Sequence, residues 1–325
     1  MQETTTNKPI PKNPLVSVLL TAYKEPLSFF SEALESILNQ TYRNLEIITI
    51  IDNPKDVYLS NYVQKKAADD ERIRIIKNEQ NLGLASSLNK AIKLANGEYI
   101  CRMDADDISS SNRIEKQLDY LIKHDLDLIG GYVNAIDHSG SQLYCVTNIP
   151  TEPQKVAIAL RWNNVVPHPT WLGTRTIFFQ LYRNIPLCED YDFLLRSVTN
   201  NFAIGNLPEI ILKYRMSEDS ISRSNLYSQY LTQCILTRRY KRNYITDLED
   251  IENYKRSHFH KSKAIRYEKA NKLFNNAVQL LNSNQLVIGI AKVLAVPILS
   301  LSYANKVRRL LLVSLSNHSK SKHRS

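Results

Sequence analysis

Residues 98–107 read EYICRMDADD. The first six predict a strand that runs straight into Asp104-Ala105-Asp106-Asp107. Two carboxylates one residue apart at the mouth of a strand can share a divalent cation with a diphosphate. Hard Mg²⁺ or Mn²⁺ prefers oxygen ligands and needs only one or two protein carboxylates beside phosphate oxygens. The bound ion acts as a Lewis acid on a departing diphosphate. The plainer alternative is an acidic turn that caps the following helix. The position after a buried strand, with Asp107 as a third carboxylate, favours the cation.

Working outward, apolar and polar stretches alternate regularly. Residues 15–21 (LVSVLLT) and 45–51 (LEIITII) are short β-branched runs, as expected of buried parallel strands. Between them, residues 28–40 place Phe29, Phe30, Ala33, Leu34, Ile37 and Leu38 on one helical stripe. A helix over 57–68, a strand over 72–76 and a helix over 84–95 follow, with Asn96-Gly97 closing that last helix. Beyond the acids come a helix over 110–124 and a strand over 126–131. This alternation predicts an α/β fold, a doubly wound and mostly parallel sheet with helices on both faces. Ligands of such sheets bind at the carboxyl ends of the strands. Tyr23-Lys24-Glu25, Asp52-Asn53 and the acidic cluster all fall at those ends.

Three further positions carry candidate chemistry, each with an alternative. Asp52 ends a buried strand, where it can accept from a nucleobase N–H, or it is a turn residue in Asp-Asn-Pro. Glu189-Asp190 precedes an apolar helical run, where a carboxylate can act as general base toward a hydroxyl, or form an ordinary acidic helix start. His168, between two prolines, orients a phosphate or hydroxyl, or is a structural loop residue. Arg102 and Arg113 flank the acids and either neutralise phosphate or pair with the carboxylates, Arg102 being the better placed. Residues 135–225, less regular, are expected to finish the cleft on the acceptor side.

These clusters, in this order, resemble the family 2 glycosyltransferases with the GT-A fold. The resemblance rests on residues 16–25 (VSVLLTAYKE), 36–42 (SILNQTY), 51–53 (IDN), 81–85 (NLGLA) with Asn89, 102–107 (RMDADD), Arg113 with Gln117, His168-Pro169-Thr170, 189–192 (EDYD) and Tyr214-Arg215. It covers roughly residues 14–222. It implies an inverting hexosyltransferase that uses Mn²⁺ or Mg²⁺ and a nucleotide-sugar donor, UDP-hexose first. Thr21, Tyr23, Glu25, Asn81, Arg102 and Asp104 would serve the donor, with Asp52 reading the base, usually uracil. Asp104 and Asp106 match the metal-binding D-x-D pair, and Asp190 the catalytic base. His168, Glu189 and Arg215 would contact acceptor or phosphate. The chain departs from the pattern at Ile51-Asp52, where many members have two acids, and at Ser217, where many have His.

The net charge of +10 is uneven. Residues 226–325 hold 18 Lys+Arg and 5 Asp+Glu, which leaves 24 basic and 27 acidic residues before them. Basic segments suit anionic partners. This one is coupled to an apolar run at 286–303 (LVIGIAKVLAVPILSLSY) rather than to interleaved stacking aromatics, so an anionic membrane face is expected and nucleic acid is not. Lys292 and Pro297 favour helices lying on the surface over a span; a helical cap packed on the catalytic domain is the alternative. With membrane attachment, the resemblance points to a saccharide on undecaprenyl diphosphate as acceptor, in O-antigen or capsule assembly.

The expected organisation is a disordered lead-in at 1–13 and a catalytic domain at 14–225, with a nucleotide-sugar half at 14–131 and an acceptor half at 132–225. A basic helical extension occupies 226–325. The N-terminus lacks the apolar core of a signal peptide, and Cys101, Cys145, Cys188 and Cys234 show no CxxC or metal spacing. Both suit a cytoplasmic protein attached peripherally to the inner membrane face. A nucleotidyltransferase would want a glycine-rich loop after the first strand, which TAYKEP at 21–26 lacks. A catalytically silent scaffold would not need the acids.

Overall fold

The computed structural model describes residues 13–216, 225–283 and 285–318. The expected lead-in, but for its last residue, and the departure at Ser217 lie outside them. The described residues divide into two compact units, one holding those within 13–130, 168–181 and 211–214, the other those within 131–167, 182–210, 215–216, 225–283 and 285–318.

The first unit is built on β1 (Val16–Ala22), β2 (Leu45–Ile51), β3 (Ile73–Lys77) and β4 (Tyr99–Asp104). These pair in parallel in the order β3-β2-β1-β4. All seven residues of β1 and of β2 are buried. Successive side chains point to opposite faces, so both faces of the sheet are covered. The helices α1 (Leu27–Leu38), α2 (Val57–Asp69), α3 (Leu84–Leu94) and α4 (Arg113–Lys123) cover them. Their apolar stripes follow the 3.6-residue period, as Phe30, Ala33, Leu34 and Ile37 show on α1.

Beyond β4 the sheet is mixed. The three-residue strand β8 (Leu172–Thr174) pairs antiparallel with β4 and with the start of β6 (Leu128–Ile136). β6 thus runs in the same direction as β4 but is not its neighbour. The insertion needs Gly173, because a Cβ there would meet the carbonyl oxygen of Asp127 at 2.7 Å. Strand β5 (Ile108–Ser109) pairs antiparallel with Leu212 and Lys213 of β9 (Ile204–Arg215).

Gly97 does not close α3. The helix ends on extended Ala95, and Gly97 instead allows close approach to β1, where a Cβ would lie 2.5 Å from Ser17 Oγ. Glu46 of β2 organises the same corner, accepting from Ser17 Oγ at 2.5 Å, Asn96 N at 2.5 Å and Arg74 Nη1 at 2.9 Å.

The second unit holds the hairpin of β6 with β7 (Gln142–Val146), and the helices α5 (Pro153–Ala159) and α7 (Glu189–Thr199). The short α6 (Arg175–Phe178) belongs to the first unit. After α8 (Leu226–Tyr240), the helical extension continues as α9 (Leu248–His258) and α10 (Lys261–Asn282), separated where Phe259 and His260 turn extended. The apolar run 286–303 is likewise divided at extended Ser300 into α11 (Leu286–Leu299) and the start of α12 (Leu301–His318). A tyrosine-rich core joins these helices. Tyr267 of α10 lies 5.5 Å from Tyr227, 5.2 Å from Tyr230 and 5.0 Å from Tyr303, ring centre to ring centre. Such rings bury large area while their hydroxyls find partners, as Tyr303 does in Asn271 at 3.0 Å.

Candidate active site

Register sets the first unit's site. Thr21 lies abreast of Asp104, and Ala22 abreast of Ile51, so β1, β2 and β4 end level. The chain leaves these ends as Tyr23-Lys24-Glu25, Asp52 and Asp104-Ala105-Asp106-Asp107.

Asp104, Asp106 and Asp107 each offer a carboxylate oxygen within 4.8 Å of the others. Glu25 joins them electrostatically. Burial raises the Glu25 carboxyl above its ordinary value, backbone hydrogen bonds led by that from Tyr23 N (2.7 Å) counter this, and Asp104 raises it further. Asp106 is pushed up to about 7 by burial first, then by Asp104 and Glu25. Crowded, half-buried carboxylates of this kind suit a hard divalent cation, whose charge offsets the repulsion. The donor set therefore fits Mg²⁺ or Mn²⁺.

Arg102 takes the counter-charge role. Its Nη1 donates to Asp104 Oδ2 at 2.7 Å and its Nη2 to Oδ1, a bidentate clamp beside the acids. Arg113 differs from the expectation of a phosphate or carboxylate partner. Fully buried, it donates to the carbonyl of Arg102 at 2.9 Å and to Gln117 Oε1 at 2.9 Å, bracing the strand that delivers Asp104. Gln117 in turn holds the carbonyl of Thr170 at 2.7 Å, fixing the turn His168–Thr170. His168 is buried edge-on to Trp171, ring centres 4.5 Å apart. Burial, then Arg102, hold its imidazole well below the usual range, so it is neutral at pH 7.

Asp52 is bound into its own loop. It accepts from Asn78 Nδ2 at 2.7 Å, Leu82 N at 2.9 Å and Gly83 N at 2.9 Å. It thereby shapes the turn that presents exposed Asn81 ahead of α3. Sequence reasoning left Tyr214 out of the site. Burial, followed by Asp104, Asp107 and Asp106, holds its phenol well above its ordinary pKa, so it stands protonated beside the acids. Its signal was the Tyr-Arg pair ending an apolar strand.

In the second unit, Glu189 and Asp190 open α7. Asp190 is half-buried; its Oδ2 accepts from Asn164 Nδ2 at 2.7 Å and its Oδ1 from Tyr191 N at 2.7 Å. Asp192, beside it in the same acidic turn, is committed elsewhere, to Arg183 and Arg196. Arg215 holds the turn at Asp137 and His138 through their carbonyls, at 3.4 and 3.2 Å.

Among curated proteins, a glycosyltransferase of Methanocaldococcus jannaschii is 34% identical over 225 residues, covering 67% of this chain and 78% of its own length. An Escherichia coli protein named UDP-Glc:alpha-D-GlcNAc-diphosphoundecaprenol beta-1,3-glucosyltransferase is 28% identical, covering 67% and 83%. The fold is shared with a mannosyltransferase of Pyrobaculum calidifontis solved with GDP-Man and Mn²⁺, at TM-score 0.56 and 13% identity over 96% of this chain and 89% of that one. The fold is GT-A. The acids at the strand ends and Asp190 all fall within residues 17–197, and that stretch matches the family described as Glycosyl transferase family 2, to which this chain belongs.

Proposed function

We propose that this glycosyltransferase moves a hexose, with inversion, from a UDP-sugar to a saccharide carried on undecaprenyl diphosphate, in bacterial surface-polysaccharide assembly. The observation that supports it is the convergence of Asp104, Asp106 and Asp107 with Glu25 at level strand ends. The E. coli relative supports the donor and acceptor class by its name. A nucleotidyltransferase would also use carboxylates on a parallel sheet, but residues 21–26 (TAYKEP) hold no glycine to cradle a triphosphate, and a silent scaffold would not need the acids.

In this reading Asp104 and Asp106 hold Mn²⁺ or Mg²⁺, which when bound withdraws charge from the leaving diphosphate. Thr21, Tyr23, Asn81 and Asp52 line the nucleoside side, and Arg102 adds a fixed positive charge near the phosphates. Asp190 takes the proton from the acceptor hydroxyl as its oxygen bonds to the anomeric carbon. The bond from that carbon to the phosphate oxygen breaks, and the nucleoside diphosphate leaves with the electron pair. Asn164 keeps the Asp190 carboxylate oriented for this. His168, Glu189 and Arg215 are the further acceptor or phosphate contacts.

The same reading sets the protein on the cytoplasmic face of an anionic bilayer. Val287, Ile290, Leu294 and Ile298 recur at helical spacing along α11 and are exposed, Ile298 by 90%. The surrounding excess of Lys and Arg matches anionic headgroups. Among the described residues no helix is long and apolar enough to cross a membrane.

The test is Asp106→Asn. Release of nucleoside diphosphate from UDP-hexoses with Mn²⁺ is expected to fall roughly a thousandfold. Unchanged release would remove Asp106 from the metal site and the reading with it.

A further inference from the structure

Loop 160–164 of the second unit ties two helices to one short arc. The carbonyl of Leu160 accepts from Tyr191 Oη at 2.6 Å, and Asn164 donates to Asp190 at 2.7 Å, so α7 is held at its first turn. Between them, the carbonyl of Trp162 accepts from Arg309 Nε of α12 at 2.5 Å.

Cations gather on this arc. Lys241, just after α8, places Nζ 3.4 Å from the centre of the Trp162 ring. Arg161 precedes Trp162, and Arg308 precedes Arg309. Arg309 is buried; its Nη1 lies 3.7 Å from Cys234 Sγ, and its Nη2 is sealed from solvent with no hydrogen-bond partner. Arg161, Lys241 and Arg308 are exposed, so a ligand can reach them. Burial first, then the charges of Arg309, Arg308 and Arg161, hold the Lys241 ammonium below its ordinary pKa. Among the described residues none of the four pairs with a carboxylate. Like charges gathered without compensation destabilise a fold, and a bound anion relieves them.

We propose that Arg161, Lys241 and Arg308, backed by the buried charge of Arg309, form a binding site for the phosphate groups of the acceptor, reached by direct contacts of the three exposed cations beside Asp190. The proposal rests on the transferase reading above. Guanidinium forks suit phosphate oxygens in pairs and the ammonium supplies a point charge. The site would favour phosphate-bearing saccharides over free ones. It also gives α12 a part in substrate binding, although that helix lies outside the stretch that matches the family.

The test is a fluorescence titration of the full chain with inorganic pyrophosphate in EDTA. Without a divalent ion the acidic cluster repels pyrophosphate, so the response reports the cationic site. Trp162 is half-exposed under Lys241, whereas Trp171, the second tryptophan, is fully buried. A saturable change in emission is expected, weakened about tenfold or more in Arg161→Ala/Arg308→Ala. Lys241→Gln, which leaves both arginines in place, should weaken it in the same direction at an unchanged Tm. A short-chain prenyl diphosphate should compete with pyrophosphate, and phosphatidylglycerol vesicles should bind wild type and double variant alike. No saturable response, equal affinity in the variants, or a response to vesicles alone would overturn the site. None of these readings needs turnover, so the result is separable from that of Asp106→Asn.

Discussion

The first unit gathers carboxylates where its strands end; the second gathers guanidinium and ammonium groups around Trp162. Burial first, then Asp104 and Glu25, push Asp106 up to about 7; burial first, then Arg309, Arg308 and Arg161, push Lys241 down. Each is a strained arrangement of like charge that a ligand of opposite charge would relax. The difference is in what relaxes it. Acids can meet a diphosphate only through a cation, whereas Arg and Lys meet phosphate directly. On the proposed reading, phosphate recognition in the first unit runs through a cation with Arg102 beside it, and in the second through Arg and Lys alone.

Asp190 belongs to neither cluster, and its substitution gives the largest effect after loss of the metal site. Asp190→Asn keeps the bond geometry to Asn164 in shape but removes the basic oxygen. Transfer to acceptor is expected to fall by about 10²–10⁴, with UDP-sugar affinity unchanged by equilibrium titration. Near-normal transfer would show that the proton leaves by another route.

The apolar face of α11 tests the second unit's surface. Replacing Leu294 and Ile298 by Glu removes two exposed apolar side chains, each contributing about 1.5–3 kcal/mol when fully buried, and adds repulsion from anionic lipid. Co-sedimentation with phosphatidylglycerol vesicles should fall at least tenfold, with the Tm in solution unchanged because neither side chain is buried. A fall in Tm with retained sedimentation would make this face part of a core or of a contact between copies.

Asp52 separates scaffold from site within the first unit. Asp52→Ala leaves the N–H groups of Leu82 and Gly83 without their acceptor, each costing about 1–3 kcal/mol where buried. A loss of about 2–4 kcal/mol in stability is expected together with a raised donor KM. A raised KM at constant Tm would assign Asp52 to the nucleobase alone.

How much of this was legible follows from what a local pattern encodes. The strand over 45–51 and the acids after the strand over 98–103 stand in the sequence because burial on both faces leaves an unbroken apolar run. The insertion of β8 does not, since three residues carry no period and the place depends on Gly173 meeting Asp127. The break at Phe259-His260 was equally silent, because no Gly or Pro marks it. Arg113 was read for charge when its bonds to the Arg102 carbonyl and to Gln117 decide its position. The cationic arc joins residues 161, 241 and 308–309, whose nearness only the packing of α8 and α12 creates.

Glu46 sharpens the contrast between acids that wait for a cation and acids that are already satisfied. Burial pushes its carboxyl up, but hydrogen bonds from Ser17, Asn96 and Arg74 outweigh this and hold it below its ordinary value, opposite to Asp106. A depressed folded pKa means that the ionised form stabilises the fold. That contribution is whole above the unfolded value, about 4.3, and is lost as pH falls through the folded one. Glu46→Gln should therefore lower stability by about 1–2 kcal/mol at pH 7, and the gap to wild type should narrow in thermal unfolding as pH falls below about 4.3. A gap independent of pH would mean that shape, and not charge, holds Ser17 and Gly97 together at this corner.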